Sequence, residues 1–279
     1  MRNFCSKADC DRSPNSVRGF GLFCFCNVFI KDMIEKSLLN FKIKLTDLLF
    51  PKFCGYCGNS FEEGISNILC SVCFASITPY EDPVCGHCGV SLPLRAFEEA
   101  VTVRCRDCGE DAYCLDQVRS LGAYEGPIRI IHHAFKFEGM ETLRIPISGK
   151  MYDHIPGAFW DGVAALVPIP LSSEKERERG YNPAAYLAEE LSIRAGIPVQ
   201  PILEKVKSTP PQMSLTKTER FKNPKGAYRV KGKMRPPDKI LLVDDVFTTG
   251  STLEECAKVL KRAGAQWVGA LVFGRTPHR

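Results

Sequence analysis

Residues 240–252 (ILLVDDVFTTGST) restrict this chain more than any other stretch. Ile240, Leu241, Leu242 and Val243 are an unbroken apolar run, which reads as a strand buried on both faces, the habit of parallel sheets. Two acids, Asp244 and Asp245, stand where that strand ends, and a short loop follows. Leu253, Cys256, Ala257 and Leu260 then recur at helical spacing until Gly264, so the segment is a strand, a loop and an amphipathic helix. Ser251 and Glu254 have the spacing of a capping box, which predicts a helix start at the end of the loop.

The chemistry of this arrangement is narrow. Ligands of open α/β sheets bind beyond the carboxyl ends of strands. Thr248, Thr249, Gly250, Ser251 and Thr252 offer successive backbone N–H groups and hydroxyls at a helix N-terminus, a cradle for a phosphate monoester. Gly250 allows close approach and dihedrals closed to other residues. The two carboxylates beside the cradle can accept hydrogen bonds from vicinal sugar hydroxyls and stand near a Mg²⁺ ion. Together these sites describe a ribose 5-phosphate. The segment resembles the phosphoribosyl pyrophosphate (PRPP) motif of type I phosphoribosyltransferases. A Walker-B strand also ends in acids, but no G-x-x-x-x-G-K-[ST] occurs in the chain. A receiver-type acidic pair needs most of its domain downstream, and too little sequence remains after residue 252.

The first half carries a different pattern. Cys54-x-x-Cys57 is followed after twelve residues by Cys70-x-x-Cys73, and Cys85-x-x-Cys88 after sixteen by Cys105-x-x-Cys108. Each pair forms a thiolate knuckle, and two knuckles close a tetrahedral site, which predicts two structural Zn²⁺ ions per chain. Redox dithiols or an iron–sulfur centre are the competing readings. His87 lies inside a knuckle as a bystander, and Cys114 is a possible substitute ligand. A segment so poor in large apolar residues needs its metal to fold. Fourteen cysteines, clustered this way ahead of an α/β pattern, point to metal in a reducing, cytoplasmic compartment rather than to a disulfide scaffold.

With 279 residues the chain has room for one substantial domain and a small one. The expected division is an extension over 1–32, disordered or foreign to the fold, a helical lead-in over 33–52, a double zinc ribbon over 53–115, and an α/β domain over 116–279. Residues 20–30 (FGLFCFCNVFI) are apolar but lack a cleavage site, and Cys5, Cys10, Cys24 and Cys26 match no zinc spacing. No apolar run is long enough to span a bilayer. A formal charge of +5 permits anionic ligands without arguing for nucleic acid.

Within the α/β part, residues 117–124 and 162–170 read as strands, and a helix opens at Pro127 with Ile128, Ile131 and Phe135 on one face. His132 and His133, being adjacent, do not share a face and read as surface or satisfied core residues. Asn182 as cap, Pro183 at the first turn and Gly196 past the end bracket another helix. The charged run 174–179 would ordinarily be a solvated face. Its place beyond a strand end makes Lys175, Arg177 and Arg179 candidates for pyrophosphate contact. Short strands are expected within 197–207 and at 228–230, and residues 268–273 are expected to close the sheet. The polar stretch 208–227 has the length and charge of a lid over an anionic ligand.

The order of these motifs, two cysteine quartets, VPIP, ERERGYN, TPPQMSL with ERFKNPKGAY, and VDDVFTTGST, resembles the ComF family of phosphoribosyltransferase-like proteins, associated with natural competence and DNA uptake in bacteria. The likeness spans residues 48–275. It implies a type I phosphoribosyltransferase-like fold, a mostly parallel sheet flanked by helices. It further implies that Asp244 and Asp245 take the ribose hydroxyls and that residues 248–252 take the 5′-phosphate. The turn at Pro168, with Arg179, would contact pyrophosphate, and the loop around Gln212, Arg220 and Asn223 would close over it. Zn²⁺ and Mg²⁺ are the implied cofactors, and a competence helicase-like ATPase and single-stranded DNA the implied partners. A pentosyl-transferring enzyme, a catalytically silent adaptor and a nucleotide-salvage enzyme all remain compatible with these residues.

Overall fold

The apolar run 240–243 lies inside a four-stranded parallel sheet in the computed structural model, which describes residues 51–93, 103–109, 113–207 and 225–277. The expectations for 1–32, for most of the lead-in, and for Gln212, Arg220 and Asn223 lie outside the described residues.

The chain enters through two small hairpins, β1 (Lys52–Phe53) with β2 (Ser60–Phe61) and β3 (Gly64–Ile65) with β4 (Leu69–Cys70), and a short helix α1 (Ser71–Ala75). After the second cysteine quartet come β5 (Gln117–Ala123), α2 (Gly126–Phe137), α3 (Arg144–His154) and β6 (Ala165–Pro168). Then follow α4 (Ser173–Arg179), α5 (Pro183–Ala195), the antiparallel pair β7 (Leu203–Lys205) and β8 (Tyr228–Val230), β9 (Lys239–Phe247), α6 (Ser251–Arg262) and β10 (Trp267–Arg275). The sheet order is β5-β10-β9-β6. β10, expected to close the sheet, is therefore internal, between β9 and β5.

Both faces of the sheet are covered, which explains the absence of alternation in its central strand. Leu241, Val243, Leu271 and Phe273 pack with Ile131 and Phe135 of α2, Ile147 of α3 and Leu187 of α5. Ile240, Leu242, Val268, Ala270 and Val272 pack with Leu253, Cys256 and Leu260 of α6 on the other side. Each large aliphatic chain buried here contributes about 1.5–3 kcal/mol. The cap residues of α5 behave as their types predict: Asn182 accepts from Ala184 N at 3.1 Å, and Gly196 ends the helix at φ 69°.

The first quartet is built into the α2–α3 core, while Cys85, Cys88 and Cys108 form a small cluster of their own. Cys54, Leu69, Cys70, Cys73 and Ile77 belong to the α2–α3 cluster, while Leu115 belongs to the α6 cluster. Val118 N of the outer strand β5 donates to His87 O at 2.6 Å. Gly89 has φ 71°, and a Cβ there would lie 2.7 Å from Val118 O, so the second quartet approaches β5 as closely as backbones allow. The second quartet thus covers part of a strand edge that would otherwise be open to pairing.

Candidate functional site

The site grows from the carboxyl end of β9. Its loop turns on Gly250, the N-cap of α6, at φ 73°. This is one residue before the expected cap at Ser251, and the capping box does not form. Glu254, its other half, instead accepts from Cys114 N at 2.7 Å and Leu115 N at 3.0 Å. Any other residue at 250 would be strained at this φ, and its Cβ, 2.5 Å from the Phe247 ring, would force that ring to move. Thr249 Oγ1 and Ser251 Oγ stand 3.0 Å apart. Thr248 to Thr252 therefore bring hydroxyls and a helix N-terminus into one turn, as an anion cradle requires.

The two acids point into different surroundings. Asp245 meets α2, where Lys136 Nζ forms a short ion pair with its Oδ2 and His132 Nε2 lies 3.1 Å from the same oxygen. His132 is itself held through Nδ1 by the Tyr124 hydroxyl at 2.8 Å. Burial alone would raise Asp245, but the Lys136 ammonium and the His132 hydrogen bond outweigh it and hold the carboxyl well below the usual range. Asp244 has, among the described residues, no cation paired with it as Lys136 is with Asp245. Burial, and next the charge of Asp245, push its carboxyl up to about 8. Its Oδ1 accepts from Asp245 N at 2.9 Å. Asp244 is accordingly the acid of the pair without a cation partner among the described residues, and once deprotonated it is a hard oxygen donor of the kind that suits Mg²⁺.

His132 is a satisfied core residue, as its sequence reading allows, but neither its place beside Asp245 nor that of Lys136 is signalled by the pairing with His133. The informative partner is four residues on, where helical side chains share a face. His133 is a surface residue, bonded to Glu138 at 2.9 Å.

Pro168 pairs with Val243 in the sheet, and Ile169 N donates to Val243 O at 3.0 Å, which puts the VPIP turn at the same end as Asp244. Asn182 Nδ2 pins that turn by donating to Ile169 O at 3.0 Å. The charged run becomes α4, capped by Ser172 and ended by Gly180 at φ 80°. Arg179 is half-buried and its guanidinium lies 5.1 Å from the ring centre of Phe137, next to Lys136. Arg177, two residues away, projects elsewhere and is exposed. Lys175 shares the face of Arg179, and burial together with the charge of Lys175 pushes the nearby Lys205 ammonium down.

The cysteines form two groups, Cys54, Cys57, Cys70, Cys73 and Cys85, Cys88, Cys105, Cys108, the sulfurs of each lying within 4.8 Å of one another. Cys57 and Cys70 sulfurs are 4.0 Å apart, and those of Cys88 and Cys105 are 3.6 Å apart. A tetrahedral Zn–S shell of about 2.3 Å bonds places its sulfurs about 3.8 Å apart, so the spacing fits zinc. Backbone N–H groups point at the sulfurs: Cys73 to Cys70 at 3.4 Å, Cys88 to Cys85 at 3.5 Å and Cys105 to Cys85 at 3.2 Å. Burial raises the Cys54 thiol, but the N–H groups of Cys57, Cys70 and Tyr56 hold it down at about 6, while burial and the neighbouring cysteines push Cys73 up to about 12. Cys114 stands outside the second group, and buried His87 stacks on Tyr113 at 4.1 Å.

Comparison with known proteins matches residues 45–111 to the double zinc ribbon domain and residues 178–279 to the phosphoribosyl transferase domain. The sheet is thus of the type I phosphoribosyltransferase kind, preceded by a double zinc ribbon. Over 207 residues the chain is 32% identical to competence protein F of Haemophilus influenzae, covering 72% of this chain and 87% of that protein. It is 28% identical to competence protein ComFC of Bacillus subtilis, covering 74% and 94%. To the DNA utilization protein YhgH of Escherichia coli K12 it is 26% identical, covering 82% and 99%.

Proposed function

Because the chain belongs to the competence protein F family, we propose that it binds PRPP with Mg²⁺ at the carboxyl ends of β9 and β6 and serves the handling of DNA taken up in natural competence. The observation that supports this most is the conjunction at one strand end of an adjacent acid pair, Asp244 and Asp245, and a glycine-cornered phosphate loop opening α6.

In this reading the loop N–H groups and hydroxyls of residues 248–252 hold the 5′-phosphate, and Asp244 accepts from the ribose hydroxyls. Asp245 acts from behind, fixed by Lys136 and His132. The turn at Pro168 and the face of α4 that carries Lys175 and Arg179 meet the pyrophosphate. Bound Mg²⁺ supplies neutralisation of the departing pyrophosphate charge. Transfer would break the bond from C1′ to pyrophosphate and form one from C1′ to an acceptor, with the basic residues stabilising the leaving group. The zinc ribbons hold structure and take no part in that step.

Single-stranded DNA, a helicase-like ATPase and the cytoplasm are the setting this reading implies. No helix among the described residues is long and apolar enough to cross a membrane. The test is titration calorimetry of PRPP into the zinc-loaded chain with Mg²⁺, with the expected result a one-to-one binding heat. A flat titration at millimolar PRPP would remove the reading.

A further inference from the structure

One buried arginine lies between the second cysteine quartet and the phosphate loop. Arg275, the last residue of β10, is 1% exposed. Its Nη1 donates to the carbonyl of Cys88 at 2.7 Å. The same guanidinium lies 5.0 Å from the ring centre of Phe247, the residue that faces it across the β10–β9 ladder. The Phe247 ring in turn fills the space beside Gly250, where a Cβ would stand 2.5 Å from Cζ. Thr276 N clamps the Phe247 carbonyl at 2.9 Å. Three contacts therefore lead from a metal ligand to the corner of the phosphate loop: carbonyl to guanidinium, guanidinium to ring, ring to glycine.

We propose that Arg275 is a positioning residue that couples metal occupancy of the Cys85, Cys88, Cys105 and Cys108 site to the shape of the phosphate loop. The inference rests on reading residues 244–252 as a PRPP site. A guanidinium keeps its charge at any accessible pH, so once buried it must keep its acceptor. The Cys88 carbonyl stays in place while the quartet is closed around a metal. When the quartet opens, the bond from Nη1 to that carbonyl is displaced, and the guanidinium shifts with it against the Phe247 ring, which rests on Gly250. A cradle built from backbone N–H groups depends on sub-ångström placement, so a small shift of Phe247 reaches the ligand. Coupling of this kind is reciprocal: zinc tightens PRPP binding, and bound PRPP makes the second zinc harder to remove.

The experiment follows zinc loss from the full chain, loaded with two equivalents, to a chromophoric chelator selective for zinc over magnesium. Loss is recorded with and without saturating PRPP and Mg²⁺. In the wild type, PRPP should slow loss of one of the two zinc ions about tenfold, within the usual range of coupling between sites. Arg275→Lys keeps a cation and a donor for the Cys88 carbonyl, but not the planar contact with Phe247. It should retain two zinc ions while the protection by PRPP falls below about twofold. An arginine that only stabilised the fold would speed zinc loss equally in both conditions and leave that ratio unchanged, which overturns the proposal. Equal rates in the wild type with PRPP demonstrably bound also overturn it, without recourse to a variant. Failure of wild-type PRPP binding in calorimetry removes the phosphoribosyl reading itself, and this proposal with it; binding without protection removes this proposal alone.

Discussion

At Asp245 the carboxylate already has partners in Lys136 and His132, so substitution there removes more than a ligand contact. Asp245→Asn would leave a partly buried ammonium without its counter-ion. The expected cost is about 1–3 kcal/mol of stability in urea unfolding. Asp244→Asn removes a carboxylate that burial and Asp245 already disfavour. It should leave stability at neutral pH unchanged or higher while weakening PRPP about tenfold or more, since a hydrogen bond to a charged group contributes about 1.5–3 kcal/mol. The pH dependence separates the two acids. The Asp244 pKa is raised on folding, so the native state binds the extra proton and stability falls as pH rises from the ordinary carboxylate value through about 8. Asp245 is depressed, so its contribution is present above the ordinary value and is lost only as pH falls below it. Urea midpoints between pH 6 and 8.5 should slope downward in the wild type and flatten in Asp244→Asn; equal slopes would refute the assignment. The acidic pair and its loop were legible in the sequence because they are contiguous. Lys136 and His132 were not, since they reach Asp245 from more than a hundred positions away and no local pattern records that.

Among the elements, α6 shows why sequence reasoning located the helix and misjudged its first residue. The apolar stripe of Leu253, Cys256, Ala257 and Leu260 needs only the helical period to be recognised. The cap depends on the left-handed turn at Gly250 and on what Glu254 finds across the molecule, namely the N–H groups of Cys114 and Leu115. Gly250→Ala should therefore cost stability twice, through a positive φ of 73° and through collision with Phe247. A loss of about 1–3 kcal/mol is expected, with PRPP heat abolished in calorimetry; unchanged binding would show that the loop shape is irrelevant. The helix α4 was harder to foresee. None of its residues is buried, so it carries no apolar stripe, and only the Ser172 cap and Gly180 mark its ends. Its placement comes from the VPIP turn before it, which β6 carries to the edge of β9.

On the scale of the whole molecule, the spacing of the cysteines announced two metal sites but could not say what they pack against. A C-x-x-C pattern encodes ligands, while the surfaces around them are set by scattered residues such as Leu69, Ile77 and Leu115. In the structure the first quartet shares one apolar cluster with Ile131, Phe135 and Ile147. The second is tied to the sheet through the Val118 N to His87 O and Arg275 to Cys88 O hydrogen bonds. Lys150 Nζ also donates to Phe74 O at 2.9 Å, from α3 to the end of α1. Metal removal should accordingly weaken the α/β sheet and not the ribbons alone. Without zinc, closely spaced thiols repel or take up protons, the knuckles open, and Cys54, Cys70 and Cys73 no longer hold their side of the shared core. Strong chelation should then lower the thermal midpoint followed by far-ultraviolet dichroism, which reports the sheet and helices, by at least several degrees. Cys54→Ser should do the same while losing one zinc equivalent by metal analysis. Metal loss that leaves the dichroism midpoint where it was would mean that the ribbons are appendages, and that the shared core adds no cooperativity.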